Sequence, residues 1–213
     1  MSFILIPNYY ESYNYQDIFV LQNDDQLNSK YLKLDTMKNL VNFKTLVLAF
    51  GMFSGLVAAQ KINSSNVKTT VSGTSTLHEW SMTSTSGTFS GNVAGNAIQD
   101  ITYKMGSKTL KSGKGPMDNN AYKAIEADKY PNITFTAASV NMGKGTMTGK
   151  LTVTNVTKTI TMPVNVTKNG NSYTVWGQAN IKMTDYGVTP PAFMMNTVKT
   201  GNEITITVNA VAN

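Results

Sequence analysis

The sequence predicts an all-β domain of about eight antiparallel strands with one short helix, and three observations carry that reading. From Gln60 onward apolar and polar residues alternate with period two. Turn signals rich in Asn and Gly separate the alternating runs by only a few residues. The polar half of the pattern is mostly Thr, Asn and Ser, which favour strands and turns over helices. Strict alternation marks a strand with one dry and one wet face, and short spacers join sequential strands as hairpins. Such a plan closes as an up-and-down barrel or packs as a sandwich.

The early strands are the least regular: Val67 to Ser72, Thr88 to Val93 and Ile98 to Met105. A helix then interrupts, with Asp118 as its N-cap, an apolar stripe of Ala121, Tyr122, Ala124 and Ile125, and Pro131 as its stop. A lone helix in an all-β domain covers an edge or a barrel mouth. Beyond it, Ile133, Phe135 and Ala137 share one parity, as do Met147, Leu151 and Val153. Ile160, Met162, Val164 and Val166 form the next run, followed by Tyr173, Val175, Ala179, Ile181 and Met183, then Ile204, Ile206, Val208 and Ala210. Turns are expected at Asn141 to Gly145, Asn155 to Thr157, Lys168 to Asn171 and Thr200 to Asn202.

The N-terminal region reads differently. Lys38 and Lys44 precede an apolar run from Thr45 to Ala59 that ends in the small residues Val57-Ala58-Ala59. A basic start, an apolar middle and a small-residue end make residues 37–59 a signal peptide cleaved before Gln60, which places the mature protein in the periplasm or outside the cell. A membrane anchor needs about 20 apolar residues, and this run is shorter and holds two glycines. No cysteine follows it, which excludes a lipoprotein anchor. Residues 1–36 have no clear period and are read as a misassigned start upstream of Met37, or as an extended signal. The mature domain is 60–213.

Composition narrows the chemistry. There is no cysteine and one histidine, His78, so thiol nucleophiles, disulfides and a two-histidine zinc site are excluded. No metal or other cofactor is expected. All eighteen basic residues are Lys, which argues against nucleic acid, where the planar Arg fork is favoured. The net charge of +6 is compatible with transient contact with an anionic membrane surface. No G-x-S-x-G elbow exists, and Glu126 and Asp128, two apart on the expected helix, point in different directions. The residues advertise no catalytic constellation, and no enzyme is expected. Asn-x-Ser/Thr triplets at Asn63, Asn132, Asn155 and Asn165 are what so Asn- and Thr-rich a chain yields by chance.

Several motifs occur in a telling order. Gly73-Thr74-Ser75-Thr76-Leu77-His78-Glu79-Trp80 and Gly87-Thr88-Phe89-Ser90-Gly91 come first, then Lys111-Ser112-Gly113 and Met117-Asp118. The helix segment Ala121-Tyr122-Lys123-Ala124-Ile125 and the strand Lys129-Tyr130-Pro131-Asn132-Ile133-Thr134-Phe135 come next. Gly149-Lys150-Leu151-Thr152-Val153-Thr154-Asn155-Val156-Thr157-Lys158 and Asp185-Tyr186-Gly187-Val188 close the series. From about Val67 to the end, this pattern resembles the YceI-like proteins, lipocalin-like barrels associated with polyisoprenoid lipids. The resemblance implies an up-and-down lipocalin-like barrel and, as ligand, an isoprenoid or other long-chain lipid.

In a small barrel, core and pocket lining are the same inward face. The candidate lining is therefore Trp80, Phe89, Phe135, Leu151 and Ile160, with Met162, Val164, Trp176 and Ile181. His78 has two readings: a satisfied, partly buried residue beside Trp80, or a hydrogen-bonding group for a ligand's polar head at the mouth. Two functions remain open: an exported protein that stores or carries an apolar chain, and a secreted or surface β-domain with a filled core that binds another protein.

Overall fold

Alternation over long runs yields long strands. The computed structural model describes residues 59–193 and 197–213, so the expected signal peptide and the segment before it lie outside the described residues, save Ala59. Nine strands occur in order: β1 (Gln60–Ser75), β2 (Glu79–Ala94), β3 (Ala97–Gly106), β4 (Asn132–Asn141), β5 (Gly143–Val153), β6 (Val156–Asn169), β7 (Ser172–Lys182), β8 (Ala192–Phe193) and β9 (Val198–Ala212). Each long strand pairs antiparallel with its neighbour in sequence, β7 pairs with β9, and β9 returns to pair with β1. Eight long strands thus close on themselves, and β8 adds only a two-residue pairing to the start of β9. The result is the lipocalin-like up-and-down barrel expected from the sequence. Closure removes the unpaired edges that an open sheet of this length would expose.

Three of the four expected turns are hairpin connections, at Met142, Thr154-Asn155 and Gly170-Asn171. Gly170 takes φ 58°, a left-handed conformation that a tight hairpin requires and glycine adopts without strain. The fourth is a correction: Thr200-Gly201-Asn202 lies inside β9. A Cβ on Gly201 would fall 2.7 Å from Thr74 Oγ1, so this glycine serves a close approach of β9 to β1, where the register shifts, and not a turn.

β1 and β2 run well beyond their expected limits, while β3 matches its own to within a residue at each end. Each gains one residue over its partner: β1 between Ser64 and Val67, β2 between Ser84 and Gly87, and β3 between Gln99 and Thr102. Each bulge reverses the parity of the residues beyond it, which erases clean alternation from the sequence without ending the strand.

The helix α1 (Gly115–Ala124) corrects a second expectation. Its N-cap is Lys114, with Pro116 in the first turn, and Asp118 sits inside that turn. Proline's fixed φ suits a helix start, so the helix begins earlier than the acidic residue suggests. Asp118 instead ties α1 to the loop before it: the Ser112 N–H and hydroxyl donate to its Oδ1 at 2.7 and 2.6 Å. Those bonds hold its carboxyl below the ordinary carboxylate range. Glu126 and Asp128 lie past the end of α1, each paired with a lysine, Lys129 and Lys108. They are solvated surface groups.

Strand direction divides the barrel into two ends. The β1–β2, β5–β6 and β8–β9 connections, α1 and a 3-10 turn at Met183–Tyr186 lie at one end, called upper here; the β2–β3, β4–β5 and β6–β7 hairpins lie at the lower end.

Candidate ligand-binding site

The two ends are filled differently. Ile62, Ile98, Val140, Val166, Tyr173 and Ala212, all buried and all towards the lower end, pack the interior solid. Above them the barrel encloses a cavity of about 480 Å³, within the roughly 300–1,000 Å³ range of small-molecule sites. Its walls are almost entirely apolar and come from β1 to β9 together with α1.

The wall is assembled by parity. β3 contributes Ile101, Tyr103 and Met105; β6 contributes Ile160 and Met162; β7 contributes Val175, Ala179 and Ile181; β9 contributes Ile204, Ile206 and Val208. Pro116, Met117, Asn120, Ala121, Ala124 and Ile125 on or just past α1 roof the upper end. The roof is strapped to the wall. The Tyr122 hydroxyl donates to the Leu110 carbonyl at 2.6 Å, and Thr83 on β2 exchanges two backbone hydrogen bonds with Lys111. Of the seven methionines among the described residues, six line the cavity: Met82, Met105, Met117, Met147, Met162 and Met183. Unbranched thioethers repack readily around guests of irregular shape, so this wall is deformable where the lower plug is not.

Glycines admit two of the aromatics. Trp80 lies across Gly73 in the paired strand, where a Cβ would come within 2.6 Å of the indole. Its Nε1–H donates to the Thr74 carbonyl at 3.0 Å. Phe135 covers Gly149 on β5 in the same manner.

Polar groups in the wall are few. Thr69 Oγ1 and the Tyr103 hydroxyl lie 2.6 Å apart, a satisfied pair, and burial pushes the Tyr103 hydroxyl up to about 12. Tyr186, 2% exposed, has a buried hydroxyl with no hydrogen-bond partner among the described residues. Ser75, His78, Lys114 and Thr200 stand around the upper opening. His78 is exposed, not partly buried as expected. Its Nδ1–H donates to the Glu79 carbonyl at 2.8 Å, because a carbonyl only accepts, and Nε2 is left for another partner. The Ser75 hydroxyl accepts from the His78 N–H and donates to the His78 carbonyl, which fixes the hairpin that carries the ring.

Eight of the ten residues singled out from the sequence line this cavity: His78, Trp80, Phe89, Phe135, Leu151, Ile160, Met162 and Ile181. Val164 is buried on the inner face but belongs to the solid part beneath. Trp176 is a correction. It lies on the outer face, 37% exposed, because the inward positions of β7 are the odd ones, Tyr173, Val175 and Ala179. Its size and apolarity suggested the interior; its parity excludes it. The sequence reading missed the contributions of β3 and α1 and the upper rim of Tyr186, Val188, Pro191 and Phe193. The β9 residues carried the right signal, their alternation, but were not assigned to the lining.

No curated protein matches the sequence. Among solved structures the chain is similar to Burkholderia cenocepacia BcnA, at 19% identity and TM-score 0.58 over 69% of this chain and 96% of that one. It is also similar to a polyisoprenoid binding domain from Saccharophagus degradans implicated in plant cell wall breakdown, at 10% identity and TM-score 0.59 over 73% and 98% of the two chains. At such identities the likeness is one of fold. The family model of the YceI-like domain matches residues 33–212, beginning earlier than the motifs quoted from the sequence. With that match over most of its length, and with the barrel it folds into, the chain belongs to the YceI-like family.

Proposed function

We propose that this protein is an exported carrier that holds the apolar chain of an isoprenoid or other long-chain lipid in the upper half of its barrel, without transforming it. The observation that carries the reading is the cavity itself: enclosed by strands, roofed by α1, walled by deformable apolar side chains and open beside a few polar groups. Each methylene moved from water into such a space is stabilised by ~0.8 kcal/mol, so one isoprene unit contributes roughly 3–4 kcal/mol. A binding fold and a solved neighbour described as a polyisoprenoid binding domain support the ligand class.

Export is part of the proposal. The basic, apolar and small-residue pattern of residues 37–59 supports it, and β1 begins at Gln60, so cleavage before that residue leaves the barrel whole. Loading and unloading call for contact with a membrane surface. Leu77, 69% exposed at the tip of the β1–β2 hairpin between Ser75 and His78, stands beside the opening where such contact would deliver a chain.

The test is a lipid extract of the purified protein from its native host, read by mass spectrometry beside N-terminal sequencing. Prenyl or acyl species on a protein beginning at Gln60 support the proposal. A barrel free of lipid that also refuses prenyl and fatty-acid probes would return the chain to a protein-binding role.

A further inference from the structure

The outer face holds a second organised arrangement, independent of the cavity. Strand register sets five side chains in one lateral row: Lys144 on β5 lies opposite Asn165 on β6, Asn165 opposite Trp176 on β7, Trp176 opposite Asn209 on β9, and Asn209 opposite Lys68 on β1. Their chain neighbours Val164, Val166, Val175, Gly177, Val208, Ala210, Val67 and Thr69 face the interior, so the row projects outward. An aromatic ring stands at the centre, an amide on each side of it, and a lysine beyond each amide.

The adjoining rows are uncharged. Thr167, Thr174 and Val211 lie on one side, and Gln178, Thr207 and Thr70 on the other. No carboxylate interrupts the three rows. Elsewhere on the outer face side chains satisfy one another, as Thr148 does with Thr161 and Thr205 with Asn180. Among the described residues the Asn165 and Asn209 amides and the Trp176 indole make no side-chain hydrogen bond.

The geometry points to an acidic polysaccharide, a chain of uronate-type sugars, as the ligand of this face. A pyranose ring has a C–H face, which stacks on an indole, and hydroxyls around its rim that both donate and accept. A side-chain amide also does both, so an Asn on either side of Trp176 meets those hydroxyls. Carboxylates on the flanking sugars meet Lys68 and Lys144, compact cations with three donors each. At 4.7–4.9 Å per strand the row extends about 19 Å along the surface, the length of several sugar rings.

Other occupants fit less well. A nucleic-acid groove uses successive aromatic platforms, and this face has one. A second copy of the chain packed two-fold about Trp176 would bring Lys68 of one row onto Lys144 of the other, placing like charges in contact.

Affinity electrophoresis of the full chain through gels containing polygalacturonate, alginate or a neutral glucan tests the assignment. The wild type is retarded by the polyuronates more than by the neutral polymer. Trp176→Ala weakens that retention about tenfold, as loss of one large aromatic contact does. Lys68→Gln with Lys144→Gln removes the preference for the acidic polymer. Uptake of a fluorescent fatty-acid probe stays unchanged in both variants, which shows the barrel intact. Polyuronate retention that survives Trp176→Ala, absence of retention in the wild type, or a dimer that Trp176→Ala dissolves overturns the proposal. Trp176-dependent binding to anionic vesicles with none to polyuronate also overturns it.

Discussion

The lower and upper halves of this barrel are made from the same eight strands, each turning alternate residues inward, yet one half is solid and the other hollow. The lower interior is filled by β-branched residues and one ring: Ile62, Ile98, Val140, Val166 and Tyr173, whose rigid shapes interlock. The upper interior is also rich in β-branched residues, Ile101, Ile160, Ile204 and Ile206 among them, but it adds six methionines and Gly177 and is closed by a helical roof. Alternation therefore dictates which residues face inward, while whether those residues meet across the interior decides between a core and a pocket. The plug anchors a fold whose other half is free to be empty.

If that division is right, truncation has different costs in the two halves. Tyr173→Ala, at 1% exposure in the plug, opens a cavity where nothing else fills the space and lowers stability by about 4 kcal/mol. Met162→Ala, facing space that already exists, costs about 1 kcal/mol or less, since little new cavity is made. Urea unfolding of both proteins measures the contrast, and equal losses would break it.

A charge sharpens the comparison further. Met162→Lys places an ammonium in an apolar wall with no partner and weakens binding of a fluorescent prenyl probe at least about a hundredfold, or roughly 2.7 kcal/mol. Thr161→Lys, one residue away on the outer face, leaves binding unchanged. The opposite pattern would mean that β6 is turned inside out.

The roof is held by polar bonds where the plug is held by packing. Asp118→Ala removes the acceptor of both Ser112 bonds and costs about 2 kcal/mol. Because the folded carboxyl titrates below its unfolded value, its contribution is complete above the ordinary carboxylate pKa and disappears as pH falls through the lower folded one. Wild-type stability should therefore decline on acidification more steeply than that of Asp118→Ala. Identical pH profiles would free Asp118 of this role.

The smallest effect is expected at the rim. If His78 Nε2 receives a hydrogen bond from a polar head, His78→Ala weakens probe affinity by about 0.5–1.5 kcal/mol, at most roughly tenfold, since the apolar chain supplies most of the energy. Unchanged affinity would leave the ring as part of the hairpin alone. Loss of a lipid-consuming activity in this variant would overturn the carrier reading.

By itself the sequence determined the strand order from β4 onward, the inward parity of Phe135, Leu151, Ile160 and Met162, the single helix and the family pattern. These are properties of neighbours in the chain: a two-residue period needs only local geometry. The blurred strands β1 to β3 lost that legibility at bulges, where an extra residue flips the faces. Only the tertiary structure decided that Val164 belongs to a plug and Met162, two residues before it, to a pocket. The outward parity of Trp176 was legible beside Tyr173 and Val175, but the tertiary structure alone lined it up with Asn165, Asn209, Lys68 and Lys144. Where a barrel is filled, and which distant residues share a row, depends on how far each strand slides against the next. That stagger is set by all the strands closing together, and no single segment encodes it.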